Sequence, residues 1–280
     1  MLHLGYTIET MDEQNEGTLA TSLGLLCVDE INGNRFLSSF PNQLLEVEDI
    51  IGYEFKNRQL LLQAFTHSSC HNEDSKSYDR LEYIGDAVLN LLVARDDFFN
   101  YPKLSPGTLT MLRAANVDRE KLARSALVMN LHKYLLHKKP LLDGQIEVFM
   151  EATLNYPIHS HGLIDAPKVL ADLVESLVGA IFIDTNSSLE ITWKVVRRIL
   201  EPIITIETMG VHPMTKLYQM CQKNGLKVCF VDLWKDTGRI DVLVDDEFIG
   251  RGVYKSKKEI AINRAANDAC NKLVERFIQQ

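Results

Sequence analysis

Asp79-Arg-Leu-Glu-Tyr-Ile-Gly-Asp-Ala-Val-Leu89 carries three acids in a segment whose apolar residues Leu81, Ile84, Val88 and Leu91 recur at helical spacing. Wound as a helix, it sets Asp79, Glu82 and Asp86 at i, i+3 and i+7, one stripe along one face. Like charges so placed repel each other, and helix stability gives no reason for them. A second stretch, Val169-Leu-Ala-Asp-Leu-Val-Glu-Ser-Leu-Val-Gly-Ala-Ile-Phe-Ile183, is apolar almost all round, the mark of a buried helix, yet it holds Asp172 and Glu175 one turn apart. A buried carboxylate without a partner takes up a proton sooner than stay charged. No Lys or Arg lies inside this second stretch, so a divalent ion shared by the two helices is the economical counter-charge. Oxygen donors select hard ions, Mg²⁺ or Mn²⁺. Four carboxylates, Glu82, Asp86, Asp172 and Glu175, suit two ions about 3.5–4 Å apart, astride the attacking and leaving oxygens of a phosphoryl transfer. A blander reading leaves Asp79 and Asp86 in solvent and sets Asp172 near a helix N-terminus, where it steadies the dipole. Glu175 is the residue that reading accommodates worst.

Outward from these two stretches the helical pattern runs from Leu44 to about Pro202, with breaks near His71–Ser77, Tyr101–Gly107, Pro140–Gly144 and Tyr156–Pro167. Residues 1–43 lack steady periodicity and read as a loosely ordered arm. Beyond a short connector the style changes. Pro213 opens an amphipathic helix that stops at Asn224-Gly225. Strand-like runs follow at Val228–Trp234, Ile240–Val244 and Phe248–Tyr254, with Asp236-Thr-Gly238 and Asp245-Asp-Glu247 as hairpin turns. A last helix from about Ser256 to Phe277 carries a small-residue stripe of Ala261, Ala265, Ala266 and Ala269. The expected organisation is an arm over 1–43, an all-α domain over 44–203 and an α-β-β-β-α domain over 212–280.

Composition bounds the rest. With 46% hydrophobic and 24% charged residues, the 280-residue chain is globular, not disordered. No apolar run reaches the roughly 18 residues of a membrane-spanning helix. Five scattered cysteines without a Cys-x-x-Cys pair suit a reducing compartment, so the protein is expected in nucleus or cytoplasm and not secreted. The net charge of −8 is unevenly spread: residues 212–280 hold 12 Lys and Arg against 9 Asp and Glu, a local +3, and leave −11 on the remainder. Either those acids repel a polyanion or some of them hold metal ions that invert the local field. His159-Ser-His161, in a loop, reads as solvated.

The first acidic stretch resembles the motif of the ribonuclease III family, written E-R-L-E-F-L-G-D-A-V-L. Ile51-Gly-Tyr-Glu-Phe-Lys-Asn57, Phe65-Thr-His-Ser68, Arg113–Ala123 and Ala171–Ala180 resemble four further family segments in the same order. The C-terminal block is similar to a double-stranded-RNA-binding domain, and the long Pro140–Pro167 stretch beside a single nuclease domain is most like the plant members. The resemblance implies an endoribonuclease that cuts both strands of double-stranded RNA, leaving 5′-phosphate and 3′-hydroxyl ends with two-nucleotide 3′ overhangs. It also implies a homodimer and a Mg²⁺ cofactor, with Mn²⁺ as substitute. By motif position Glu82, Asp86, Asp172 and Glu175 are the metal-holding catalytic residues. Tyr83, Ile84, Leu91 and Leu92 are candidates for the dimer face, with core packing as the competing fate of most of them.

Three departures stand out. Asp79 replaces a Glu, and its shorter arm makes it a supporting residue and not a ligand. Arg113-Ala-Ala-Asn-Val-Asp118 stands where many members have R-S-x-L-V-N, at a segment associated with a phosphate contact. In the RNA-binding block Lys257 and Lys258 sit one position early, and Gln219 occupies a common Glu position. Gln219, Lys255, Lys257 and Lys258 are the expected RNA contacts, weaker than a full consensus would give. A-form RNA is read by shape, 2′-hydroxyls and phosphates, and lysines at a helix N-terminus meet phosphates through charge and free N–H groups. Two other classes compete: a non-catalytic double-stranded-RNA-binding dimer, and a helical nucleoside-triphosphate pyrophosphohydrolase whose paired acidic helices also grip Mg²⁺.

Overall fold

The structure, a computed structural model, describes residues 36–70 and 76–279. Its first part is all helical: α1 (Phe36–Ile51), α2 (Arg58–Ala64), α3 (Asp79–Asn100), α4 (Pro106–Val117), α5 (Arg119–Val128), α6 (Leu142–Thr153), α7 (Lys168–Asp184) and α8 (Leu189–Leu200). The expected arm lies outside the described residues as far as residue 35. From Phe36 the chain is already helical, so Leu44 falls inside α1.

Local chemistry sets the helix limits. Ser105 accepts from the Thr108 backbone N–H and Pro106 follows at the first helical position, so α4 starts where the Tyr101–Gly107 break ends. Asp118 closes α4 and, by accepting from the Lys121 N–H, starts α5. At the centre lies α7, buried on nearly every side, with α3, α5 and α2 packed around it. Two glycines bring α3 and α7 together. A Cβ on Gly85 would stand 1.8 Å from the Glu175 carbonyl oxygen, and one on Gly179 would stand 2.1 Å from the Leu81 carbonyl oxygen. The two backbones touch at both points.

The second part runs α9 (Pro213–Lys223), β1 (Val228–Leu233), the single turn α10 (Trp234–Thr237), β2 (Arg239–Val244), β3 (Glu247–Val253) and α11 (Lys258–Gln279). The strands form one antiparallel sheet in the order β1-β2-β3. Asp245 and Asp246, both at positive φ, make the β2–β3 turn. The other expected hairpin turn is instead the helical α10, closed by Gly238 in the left-handed region. Ala261, Ala265, Ala266 and Ala269 are fully buried with Ile240 and Val242.

The connector is gripped at its start. The buried Asn116 accepts from the Ile204 N–H and donates to its carbonyl, at 2.8 Å each. Lys121 Nζ, pushed down to about 8 by burial, donates to the Leu200 and Pro202 carbonyls. No described helix is long and apolar enough to cross a membrane.

Candidate functional site

Because α3 and α7 touch, their acids converge. Glu82, Asp172 and Glu175 each offer a carboxylate oxygen, and the three oxygens lie within 4.8 Å of one another. Asp86 is exposed one turn farther along α3 and is not among the three, though its charge reaches Glu175. Asp79, at the start of α3, is exposed and accepts from Ser77 Oγ at 2.8 Å.

One cation escaped the sequence reading. Lys168, the residue just before the acidic apolar stretch, places Nζ 2.9 Å from Glu82 Oε1 and 2.6 Å from Asp172 Oδ1. Burial pulls its ammonium down, but hydrogen bonds to Asp172 and Glu82 outweigh that and hold it above the usual lysine range. The i, i+4 spacing from Asp172 was the available signal. From the other side the buried Tyr78 hydroxyl points at Asp172 Oδ2, 3.4 Å away.

One ammonium does not balance the cluster. Burial, then the charges of Asp86, Asp172 and Glu82, push Glu175 up to about 7 against the opposing pull of Lys168. Burial also raises Asp172. A partly buried, oxygen-only donor set short of positive charge fits a divalent cation, with Lys168 already neutralising one edge.

The raised pKa sets a pH dependence. Below the ordinary glutamate value Glu175 is protonated both folded and unfolded. Between 4.5 and about 7 the folded state keeps a proton that the unfolded chain has released, so stability drains away as pH rises through that window. Buried Asp97, pushed up to about 6, adds in the same direction. His67, His132, His161 and His212, all lowered by burial, act in the opposite sense over the same range, so the Glu175 contribution is read against Glu175→Gln. The metal-free Tm of the wild type is expected to fall relative to that variant as pH rises from ~5 to ~7.5, and divalent cation to raise the wild-type Tm more at the higher pH. Thermal unfolding of both across that range checks it, and parallel profiles would refute it.

The expected RNA-contacting residues lie in the second part of the chain, none of them among the converging carboxylates. Gln219 on α9 and Lys255 are exposed, while Lys257 and Lys258 are half-buried. Lys258 pairs with Asp232. Lys257 pairs with Asp165 of the loop between α6 and α7, and Asp165 Oδ2 also accepts from the Tyr254 hydroxyl at 3.1 Å. Arg264 covers the Tyr254 ring and donates to the Leu163 carbonyl at 2.9 Å. Asn263 donates to the Gly162 carbonyl at 3.2 Å.

That loop is held down from within its own part: the Ser160 N–H and hydroxyl both donate to Glu120, itself paired with Arg124. His159, read as solvated, is corrected here: its side chain is 6% exposed and stands 2.7 Å from Asp118.

Comparison with known proteins adds the following. The Ribonuclease III domain family matches residues 79–186 and the Double-stranded RNA binding motif family matches residues 213–273. Ribonuclease 3-like protein 3 of Oryza sativa subsp. japonica is 50% identical over 242 residues, covering 85% of this chain and 81% of that protein. Endoribonuclease Dicer homolog 1 of Arabidopsis thaliana is 37% identical over 90% of this chain, which spans only 14% of that protein. Among solved structures, the nuclease domain of ribonuclease III from Campylobacter jejuni is 30% identical, with a TM-score of 0.44, covering 56% of this chain and 96% of that one.

Proposed function

Since this chain belongs to the ribonuclease III family and is an endoribonuclease of double-stranded RNA, we propose that Glu82, Asp86, Asp172 and Glu175 hold two Mg²⁺ ions, with Mn²⁺ able to substitute, and are its catalytic residues. The observation that carries this is the convergence of Glu82, Asp172 and Glu175 on two touching helices. Bound there, the ions would polarise the scissile phosphate and make a neighbouring water a nucleophile near neutral pH. The carboxylates fix where that charge sits. Glu175, half-buried between α3 and α7 with its pKa raised, would give up its proton as the site fills. Lys168 keeps Glu82 and Asp172 aligned from the outer edge. Tyr78 holds Asp172 from within.

The products of this reading are 5′-phosphate and 3′-hydroxyl ends with two-nucleotide 3′ overhangs, which requires one site per strand and hence a homodimer. A stripe on α3 supports that assembly: Tyr83 and Leu91 are 82% and 51% exposed and Phe98, in line with them, 64%. Of the other two candidates, Leu92 is buried in the core and Ile84 is half-buried against it. The scattered, odd-numbered cysteines support action in the nucleus or cytoplasm. The test is a long, perfectly paired RNA with Mg²⁺ present or chelated, with product ends mapped. Metal-dependent cuts with the stated overhangs are expected, whereas RNA bound but left whole under Mg²⁺ and Mn²⁺ would favour a binding protein.

Gln219, Lys255, Lys257 and Lys258 are proposed to meet phosphate and ribose. Asp165 then competes with RNA for Lys257. Asp165→Asn is expected to tighten RNA binding by up to about fivefold at low salt, the scale of one exposed ion pair, and by less as salt rises. Fluorescence anisotropy with an uncleaved duplex in Ca²⁺ reads it. Unchanged affinity at every salt concentration would remove Lys257 from the contact set.

A further inference from the structure

Of the four carboxylates assigned to metal, Asp86 alone lacks a packed setting. It is exposed on α3 and outside the three converging oxygens, so protein packing does not choose its rotamer. A short-armed ligand free to rotate binds poorly, because its ordering subtracts from the binding free energy.

One side chain restrains it. Asn90, one turn farther along α3 and half-buried, donates from Nδ2 to Asp86 Oδ1 at 2.9 Å and to the Asp86 carbonyl at 3.0 Å. Its Oδ1 accepts from Arg113 Nη1 of α4 at 3.2 Å. The two ends of the amide are not interchangeable here. Flipped, its oxygen would face a carboxylate and a carbonyl, and its NH₂ would face a guanidinium. Arg113 therefore dictates which way Asn90 points, and Asn90 dictates where Asp86 Oδ1 sits. Arg113 has its own reason to stay: Asp97, on the same face of α3, is 5% exposed with Oδ2 unbonded, and the Arg113 charge opposes the cost of burying it.

We propose that Asn90, oriented by Arg113, is a positioning residue that holds the Asp86 carboxylate in place for metal binding. The inference rests on Asp86 being a metal ligand. It also gives Arg113 a role other than the phosphate contact associated with its segment: at least one of its donors is committed to α3.

The test is direct Mn²⁺ binding to the full chain, followed by electron paramagnetic resonance, beside the Mg²⁺ dependence of cleavage. Asn90→Ala is expected to weaken Mn²⁺ binding by about tenfold or more, the scale of losing a partner that orients a ligand. The Mg²⁺ concentration for half-maximal cleavage should rise in parallel, with much of the lost rate returning as Mg²⁺ is raised. Asn90→Asp keeps the size and the acceptor for Arg113 but sets a second carboxylate against Asp86, and should be worse than alanine. Arg113→Lys, which keeps a charge near Asp97 but loses the guanidinium, should shift metal binding the same way by less.

RNA affinity measured in Ca²⁺ and metal-free Tm separate a positioning effect from misfolding, and both should stay at their wild-type values in Asn90→Ala. Asp86→Ala distinguishes the two ways of being wrong. If it weakens Mn²⁺ binding while Asn90→Ala and Asn90→Asp stay within twofold of wild type, the positioning role is overturned and the ligand assignment stands. If Asp86→Ala leaves Mn²⁺ binding unchanged, the ligand assignment fails first and takes the positioning role with it.

Discussion

Glu175→Gln is expected to cut double-stranded RNA at least roughly 10³-fold more slowly than the wild type while binding it as well, because it removes one of the charges proposed to hold metal and none of the residues proposed to meet RNA. The change is nearly isosteric, so the crossing of α3 and α7 stays packed. It also relieves a conflict. In the metal-free protein the Glu175 carboxylate is half-buried and repelled by Asp86, Asp172 and Glu82. Removing that charge should therefore raise the metal-free Tm above pH 7 by a few degrees. A variant that is more stable and inactive identifies a functional charge. Cleavage within tenfold of wild type, with Mg²⁺ saturating, would remove Glu175 from the catalytic set.

Gly85→Ala is expected to cost about 3 kcal/mol or more, at the top of the range for overpacked sites. The obstruction is a backbone carbonyl at 1.8 Å from the new Cβ, which has no rotamer in which to retreat. The helices must separate, and the separation acts where Glu82 faces Asp172 and Glu175. Lower Tm and weaker metal binding should thus appear together. Gly179→Ala meets the Leu81 carbonyl from the other side and should behave alike, whereas Gly144→Ala, with open space around it, should do neither harm. Urea unfolding of the three variants checks the order, and a Gly85→Ala loss below 1 kcal/mol would contradict the backbone contact.

Much of this was legible in the sequence, and the reasons are physical. Acids at helical spacing in otherwise apolar segments announce a cluster because folding alone does not favour them, so Glu82, Asp86, Asp172 and Glu175 read as one group, of which the fold brings Glu82, Asp172 and Glu175 together. The switch from period 3.6 to short apolar runs marked the second part. What the sequence hid were contacts without periodicity. Lys168 lies one turn from Asp172, but nothing local joins it to Glu82, 86 positions away, which its ammonium also meets. Asn116 looked like a defect in a family pattern, but its amide grips both backbone groups of Ile204. Asp165 and Lys257 are separated by 92 positions, and no local rule joins residues so far apart. The helical turn at Trp234–Thr237 stands in place of a tight turn between the still antiparallel β1 and β2, because Thr237 Oγ1 donates to the Leu233 carbonyl and Gly238 supplies the left-handed stop.

The grip of Asn116 and Lys121 on the connector also sets a leash. With Ile204 pinned and α9 starting at Pro213, the tether is residues 205–212, which in this structure begin with a hydrogen-bonded turn at Thr205–Met209. Fully extended, they span no more than about 26–29 Å. If RNA draws Lys257 away from Asp165 and the bonds of Tyr254, Asn263 and Arg264 to the same loop part with it, the RNA-binding part can swing but not wander, and its effective concentration beside the carboxylates stays in the millimolar range expected of a short linker. Weak contacts from a lysine-displaced helix then suffice, since each reinforces the other's grip on the same duplex. Lengthening the tether with glycine and serine should erode that avidity, without altering any contact made by either part.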